Sequence, residues 1–318
     1  MNDVVLAEDA ETARQLLLQK LVDDGKTIFA DGEHKPQICF SVSHPKDENG
    51  VERDQTPDMA RNMRYAATLG LQQIPFTPEH AGTAIICGGG PSIKGQLDKI
   101  KELATNPDSS IFALNWTHNW LIQNGVKPTA MVFFEIDAEP DDILGSANPE
   151  TIYFVCSHCH PKTFDQLLAR VPKKNIFLWH MIPDNELGFE AYKELYANQP
   201  MIGGGIATFL RSISLATCLG YRNFELFGVD SSYPDDNAST HVEGYPTICK
   251  PEEDGFDVWA KDAETGDVRR FRTVSYLAFQ AEEFKQFCNR NHHLFRMRVH
   301  GDGLLPFIHK HMWPTQYD

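Results

Sequence analysis

The chain contains 318 residues, of which 42% are hydrophobic, and its formal net charge at pH 7 is −15. This composition excludes wholesale disorder, because it supplies ample apolar material for a core. The negative charge argues against sequence-independent binding to nucleic acid or anionic membranes, where a basic surface supplies most of the affinity. A small basic pocket for a phosphate is compatible with it.

Targeting signals and cysteine usage predict a soluble, cytoplasmic protein. No apolar run approaches the ~20 residues that span a bilayer, and residues 1–9 are acidic, unlike a secretory signal. The 7 cysteines are an odd number, and most lie in apolar runs. That usage is typical of buried thiols in a reducing compartment.

Residues 1–80 predict an accessory segment without chemistry of its own. Residues 10–22 and 57–69 have helical periodicity, whereas the polar stretch 44–57 has none. An appendage of this kind commonly serves accessory contacts or oligomerisation, so a homo-oligomer is one expected assembly.

Residues 81–318 predict a Rossmann-like, doubly wound α/β domain with a mostly parallel sheet. Short apolar runs alternate with helical stretches, as in strands buried on both faces. The predicted strands are 83–87, 110–114, 130–135, 151–156, 175–179, 223–228 and 294–299; the predicted helices are 92–104, 118–124, 161–169, 206–219 and 274–291. Residues 234–272 have no clear period and predict a long lid loop. The site is expected beyond the carboxyl ends of the strands.

A glycine-rich turn follows the first of these strands. Gly88, Gly89 and Gly90 allow close backbone approach to a ligand, and Ser92 is a good helix N-cap. The spacing matches neither a dinucleotide fingerprint nor a P-loop. The turn predicts a phosphate-cradling loop, with a plain strand-to-helix connection as the alternative.

Further polar residues follow later strands. Asn115 and Asp137 come after the second and third strands, where a turn or cap role and ligand contact are equally open. Gly204, Gly205 and Thr208 open a long helix and predict a second anion-binding helix start.

Asp230, Tyr233 and His241 follow the sixth strand and predict catalytic groups. A histidine there can act as general base, although a lone histidine is often structural. With the ordinary imidazole pKa near 6.5, a His241 base predicts an acid limb of the rate profile close to neutrality.

Two metal-like patterns are rejected on the sequence. Residues 156–160 (CSHCH) match a haem-attachment motif and half of a zinc site, but no export signal and no second C-x-x-C accompany them. Residues 309–311 (HKH) are interpreted as a polar helical tail rather than a metal site.

Taken together, these motifs resemble the MptE-like family. The resemblance is carried by GGGPSI at 88–93, FALNW at 112–116, NGVKP at 124–128, GGGIAT at 203–208 and LGYRNFELFGVDSSY at 219–233, with His241 after them. It covers residues 82–305. Short phage- or prophage-encoded members look most similar, and the motif order is also similar to sialyltransferases that use CMP-activated sugars.

The resemblance implies a nucleotide-dependent transferase. It implies nucleotide contacts from Gly89, Gly90, Ser92, Asn115, Gly204 and Gly205, and His241 as a base that needs no metal. The leading hypothesis is glycosyl transfer from a nucleotide-activated, CMP-type sugar to an unknown acceptor.

Two alternatives stay open. One is a 6-hydroxymethylpterin-type diphosphokinase that uses ATP, with Mg²⁺ on Asp137 and Asp230. The other is a non-catalytic nucleotide-binding or phage assembly protein that keeps the fold without the chemistry.

Overall fold

A computed structural model describes residues 27–30, 56–137, 141–182, 186–205, 207–234, 239–244, 255–262, 268–313 and 316. The predicted helix at 10–22 lies outside these residues. The chain divides into two compact units. The sheet unit comprises Ser43–Gly88 and Leu97–Glu225, and the hairpin unit comprises Met1–Val42, Gly89–Gln96 and Leu226–Asp318.

The described strands and helices are numbered in chain order. The strands are β1 Thr27–Ala30, β2 Gln72–Gln73, β3 Thr83–Cys87, β4 Ser109–Leu114, β5 Ala130–Phe133, β6 Ile152–Cys156, β7 Ile176–Met181, β8 Met201–Ile202, β9 Asn223–Phe227, β10 Phe256–Asp262, β11 Val268–Thr273 and β12 Arg296–Val299. The α-helices are α1 Thr56–Thr68, α2 Leu97–Ala104, α3 Thr117–Gln123, α4 Pro161–Arg170, α5 Glu186–Tyr196, α6 Thr208–Cys218, α7 Ser275–Asn291 and α8 Leu304–Met312. Short 3₁₀ helices cover Pro91–Gln96, Asp141–Leu144 and Lys173–Asn175.

The sheet unit contains the strands β3, β4, β5, β6, β7 and β2 in that order, and β8 also pairs with β7. The neighbours from β3 to β7 pair in parallel, as do β2 and β8 with β7. Almost every residue of β3, β5 and β6 is buried. Continuous apolar strands need cover on both faces, and helices of the chain provide it. The predicted Rossmann-like α/β fold is confirmed.

Helix α1 packs within the sheet unit. The side-chain amide of Asn62 donates to the carbonyl of His158 at 2.9 Å, and the Tyr196 hydroxyl on α5 donates to the carbonyl of Met63 at 3.1 Å. Asn62 and Met63 are both fully buried. The domain boundary predicted at residue 80 therefore falls inside this unit.

The hairpin unit contains an antiparallel sheet in the order β1, β10, β11. Its apolar core is formed by Val258, Ala260, Phe271, Ala281, Leu304, Ile308 and Met312. Residues 234–272, predicted as a lid loop, thus include strand β10 and most of β11. The arginines of β11 obscured its period, because arginine is not read as an apolar position although its stem can lie along apolar surface.

None of the helices described is long and apolar enough to cross a membrane.

Candidate functional site

A cavity of about 160 Å³ in the hairpin unit contains several of the sequence-predicted residues. It is lined by Pro91, Ser92, Asp230, Ser232, Tyr233, Pro234, Arg269, Asp302 and Gly303. Ser92, Asp230 and Tyr233 were predicted from the sequence. They come from the glycine-rich turn and from the segment after β9, so folding joins two separate predicted motifs in one place.

Asp230 is the buried carboxylate of this cavity, with 5% of its surface exposed. Its Oδ2 accepts the backbone N–H of Ser92 at 2.9 Å, and its Oδ1 accepts the Ser92 hydroxyl at 2.5 Å. The pKa of Asp230 is raised to about 6, mainly by burial and in lesser part by the charge of Asp302, against the opposing effect of the Ser92 hydrogen bonds. A carboxylate with that pKa is ionised at neutral pH and can accept a proton.

Two glycines allow the chain to wrap closely around Asp230. A Cβ added to Gly90 would lie 2.5 Å from Asp230 Oδ2, and one added to Gly303 would lie 2.6 Å from the Asp230 Cβ. The N–H of Gly90 also donates to the carbonyl of Gly228 at 2.7 Å. The absence of a side chain at Gly90 therefore makes room for the Asp230 carboxylate of the protein itself. Phosphate binding by Gly88–Gly90 stays a prediction.

The start of α8 forms another wall of the cavity. Gly303 is its N-cap and supplies no side-chain cap bond. The Leu304 N–H instead donates to the Ser232 hydroxyl oxygen at 3.1 Å, and the Leu305 N–H donates to the Asp230 carbonyl at 3.0 Å. The same segment that carries Asp230 thus caps the helix.

Arg269, Ser232 and Asp302 line the cavity but were not predicted as site residues. The Arg269 guanidinium lies 4.8 Å from the centre of the Phe271 ring, a cation–π contact that orients it. Tyr233, by contrast, was predicted; it is 4% exposed, and its N–H donates to the Arg272 carbonyl at 2.8 Å. No local motif marks Arg269 or Asp302, because each reaches the cavity only through tertiary folding.

His241 is not among the cavity-lining residues. Its Nδ1 lies 2.9 Å from the Thr240 hydroxyl, and its N–H donates to the Ser239 hydroxyl at 3.2 Å. The next residue, Val242, donates its N–H to the carbonyl of Gly89 at 2.8 Å. Burial lowers the pKa of His241 to about 4, so its acid limb would lie near pH 4 rather than near neutrality.

In the sheet unit, Asn115 links the ends of two strands. It has a positive φ of 44°, which asparagine tolerates better than most residues. Its Oδ1 accepts the Phe134 N–H at 3.1 Å, and its Nδ2 donates to Glu135 Oε1 at 2.8 Å. Of the other predicted residues here, Gly88 is buried directly after β3, and Asp137 is half-buried beyond β5.

The predicted second helix start is at α6. Gly204 and Gly205 have φ angles of 137° and 66°, and the N-cap Ala207 provides no side-chain bond. Thr208 is the first residue of the helix, and its carbonyl accepts the Ser212 hydroxyl at 2.8 Å. A helix start without a side-chain cap suits an anion. Ligand binding there stays a prediction.

In the CSHCH segment, packing and capping account for both cysteines and for His160. Cys156 and Cys159 are fully buried, and burial raises the pKa of both thiols. His160 caps α4 by accepting the Lys162 N–H on its Nδ1 at 3.1 Å. Across the described residues, no three His, Cys, Asp or Glu side chains are arranged to hold a metal ion.

At the C-terminus, the interpretation of residues 309–311 as a polar tail is wrong for His309. This residue is 2% exposed, and its ring lies 5.7 Å from that of Phe284.

Comparison with known proteins identifies related families and folds. The family model described as "6-hydroxymethylpterin diphosphokinase MptE-like" matches residues 59–236, more than half of the chain. A MAf glycosyltransferase from Magnetospirillum magneticum AMB-1 is 17% identical with a TM-score of 0.55, and the match covers 79% of this chain and 37% of that one. The chain thus spans well under half of that glycosyltransferase.

A mammalian sialyltransferase crystallised with Gal-beta-1-3GalNAc-ortho-nitrophenol is also similar, at 8% identity and a TM-score of 0.35 over 82% of this chain and 91% of that one. No curated protein matched the sequence significantly.

Proposed function

We propose, from the premise that the chain belongs to the MptE-like family, that it is a transferase acting on a nucleotide-activated donor. We further propose that the transferred group is a glycosyl group and that the donor is of the CMP-sugar type. The observation that supports this proposal is the cavity in which the predicted residues Ser92, Asp230 and Tyr233 lie together. The glycosyltransferase from Magnetospirillum magneticum contributes support for the fold alone.

In this proposal Asp230 is the general base. Its carboxylate removes the proton from an acceptor hydroxyl, and the acceptor oxygen forms a bond to the anomeric carbon of the donor. The bond from that carbon to the phosphate oxygen breaks, and the nucleotide leaves with the electron pair. Ser92 holds the carboxylate in place through its N–H and hydroxyl. Tyr233 orients the acceptor or the phosphate.

His241 is the alternative base. Its imidazole is neutral at pH 7 because burial lowers its pKa to about 4, and a neutral imidazole can accept a proton. A base with so low a pKa is, however, a weaker proton acceptor than one near 6. Asp230 also lines the cavity, whereas His241 is not among its lining residues. Both points favour Asp230 as the base in this proposal.

Pyrophosphoryl transfer is the second candidate function, and the family description names such an activity. The observation that favours it is that two carboxylates, Asp230 and Asp302, line one cavity. Mg²⁺ prefers oxygen ligands and is commonly held by one or two carboxylates together with substrate phosphates, so this donor set fits it. A bound Mg²⁺ would neutralise charge developing on the phosphates. Of the Mg²⁺ pair predicted from the sequence, Asp137 belongs to the sheet unit and Asp230 to the hairpin unit.

The test is a ligand screen followed by an activity assay. Thermal unfolding would be measured with CMP, CDP, UDP, GDP and ATP, each with Mg²⁺ and with EDTA, and hydrolysis of the matching sugar donor would then be followed. We expect a cytidine nucleotide to raise the Tm and donor turnover to survive EDTA. Turnover of ATP that chelation abolishes and Mg²⁺ restores would establish the diphosphokinase instead. Nucleotide binding without turnover of any donor would indicate a non-catalytic protein.

A further inference from the structure

Among the described residues, the cavity is lined by two carboxylates, Asp230 and Asp302, and by one basic side chain, which strand β11 supplies. Arg269 of β11 is the basic side chain among the described residues that line the cavity. The neighbouring arginines of the strand are directed to a different group: Arg270 and Arg272 lie 3.6 and 3.5 Å from the Asp257 carboxylate. The Arg269 guanidinium lies over the Phe271 ring, on the side of the strand that lines the cavity.

One further feature of the cavity wall, the Ser232 hydroxyl, suits an anionic ligand. The Ser232 hydroxyl oxygen accepts the Leu304 N–H, which leaves its own proton to be donated. The N–H groups of Leu304 and Leu305 at the start of α8 are already bonded to Ser232 and Asp230, so the contacts to an anion would come from side chains. A planar guanidinium and a hydroxyl donor together match an oxyanion.

We propose that Arg269 binds an anionic group, a phosphate or a carboxylate, of the ligand that occupies this cavity. The inference rests on the proposed function, because that function identifies the ligand as a nucleotide-activated donor. A volume of about 160 Å³ is smaller than the roughly 300–1,000 Å³ of a pocket for a whole drug-sized molecule, so it suits one charged group of a larger substrate. Arg269 also lies outside residues 59–236, the segment that the family model matches. The proposed contact therefore comes from a part of the chain that this model does not cover.

The two carboxylates of the cavity, Asp230 and Asp302, would repel a bound anion to different degrees. Asp230 is already held by two donors of Ser92, which offset part of its charge. Asp302 is exposed, and its carboxylate would repel a bound anion through solvent. Removing the charge of Asp302 should therefore strengthen anion binding, whereas removing that of Arg269 should weaken it.

The experiment compares five proteins by titration calorimetry: the wild type, Arg269→Gln, Arg269→Lys, Asp302→Asn and the control Arg270→Gln. Arg270 is exposed on the same strand, so its variant removes equal charge outside the cavity. The probes are pyrophosphate, acetate, cytidine and CMP. Pyrophosphate and acetate distinguish a phosphate from a carboxylate site without relying on any nucleotide. Tm without ligand verifies that each variant folds.

For Arg269→Gln we expect a roughly 10- to 100-fold loss of affinity, the range for a charge-assisted hydrogen bond, for pyrophosphate and CMP if the site takes a phosphate, or for acetate if it takes a carboxylate. Cytidine binding should be unchanged. Arg269→Lys should be intermediate, Asp302→Asn should bind roughly two- to fivefold more tightly, and Arg270→Gln should match the wild type.

The outcomes separate the inference from the proposed function. Pyrophosphate and acetate affinities that are both equal in the wild type and Arg269→Gln, with the nucleotide still bound, overturn the inference and leave the proposed function standing. Pyrophosphate or acetate binding that depends on Arg269, with no nucleotide bound at all, supports the inference and removes the nucleotide-dependent function. An equal loss in Arg269→Gln and Arg270→Gln reduces the effect to general surface charge and also overturns the inference.

Discussion

At the scale of single residues, burial raises the pKa of the proposed base Asp230, and its hydrogen bonds from Ser92 oppose that rise. These bonds favour the charged carboxylate and so hold its pKa below the value that burial alone would give. A base must be deprotonated to act, so activity is lost as pH falls through its pKa. We expect wild-type kcat/KM to have an acid limb near pH 6, and Ser92→Ala to move that limb upward.

The same profile distinguishes the two base candidates. Asp230→Asn should lower kcat by about 10²–10⁴-fold, the usual cost of losing a general base. His241→Ala should retain the limb near pH 6. Donor turnover would be measured from pH 3.5 to 9, with Ser239→Ala as the control, because it removes the acceptor of the His241 backbone N–H and keeps the imidazole. A limb near pH 4 that disappears in His241→Ala would assign the base to His241.

Gly90 tests the packing around the same carboxylate. Gly90→Ala would place a methyl group 2.5 Å from Asp230 Oδ2 and 2.8 Å from the Gly228 carbonyl oxygen. We expect it to destabilise the fold by about 1–3 kcal/mol, as overpacking does. Gly95→Ala is the matched control, because a Cβ there meets no atom of the described residues within 4 Å. Urea unfolding that is the same for both variants would contradict this close approach.

At the scale of elements, the loop before α6 requires glycine at one position and not at its neighbour. Gly204 has a φ of 137°, and a Cβ there would lie 2.6 Å from the Arg211 backbone nitrogen. Within the described part of the chain, a Cβ at Gly203 would meet the Ile182 Cδ1, at the ordinary contact distance of 3.5 Å. We expect Gly204→Ala to lower stability by about 1–3 kcal/mol and Gly203→Ala to leave it nearly unchanged. Comparable Tm values for the two variants would show that the loop adjusts.

The parallel strands could be predicted from the sequence because burial on both faces leaves a continuous apolar run, as in β3 and β6. Strand β11 could not, since its arginines lie along a partly exposed surface. Helix α5 was missed because Glu and Lys interrupt its short apolar pattern. The bond from Ser92 to Asp230 joins residues 138 positions apart. No local sequence pattern indicates that pairing. The sequence could therefore predict the site residues one by one, but not their arrangement around the cavity.

At the scale of the whole molecule, buried histidines should make folding stability sensitive to mild acid. Burial lowers the pKa of His158 and His309 to about 3 and that of His180 and His241 to about 4. Unfolded histidine titrates near 6.5, so between pH 6.5 and 4 the unfolded state binds more protons. The free energy of unfolding therefore falls as pH falls through that window.

Asp230 acts in the opposite direction, because its folded pKa of about 6 exceeds its unfolded value of 3.8. In the same window the folded state gains that proton first, which offsets part of the histidine effect. Several histidines with large shifts outweigh one carboxyl group, so we expect a net loss of stability. Urea unfolding at pH 7.5 and pH 5 would measure it.

His158 is the sharpest test of this prediction. Neither of its ring nitrogens has a hydrogen-bond partner among the described residues, and the side chain is fully buried. His158→Leu removes the titrating group without leaving a polar atom unsatisfied, so the drop in unfolding free energy from pH 7.5 to pH 5 should become smaller. His293→Gln changes an exposed histidine and should keep the wild-type dependence. An unchanged drop in His158→Leu would mean that other groups govern the acid sensitivity of the fold.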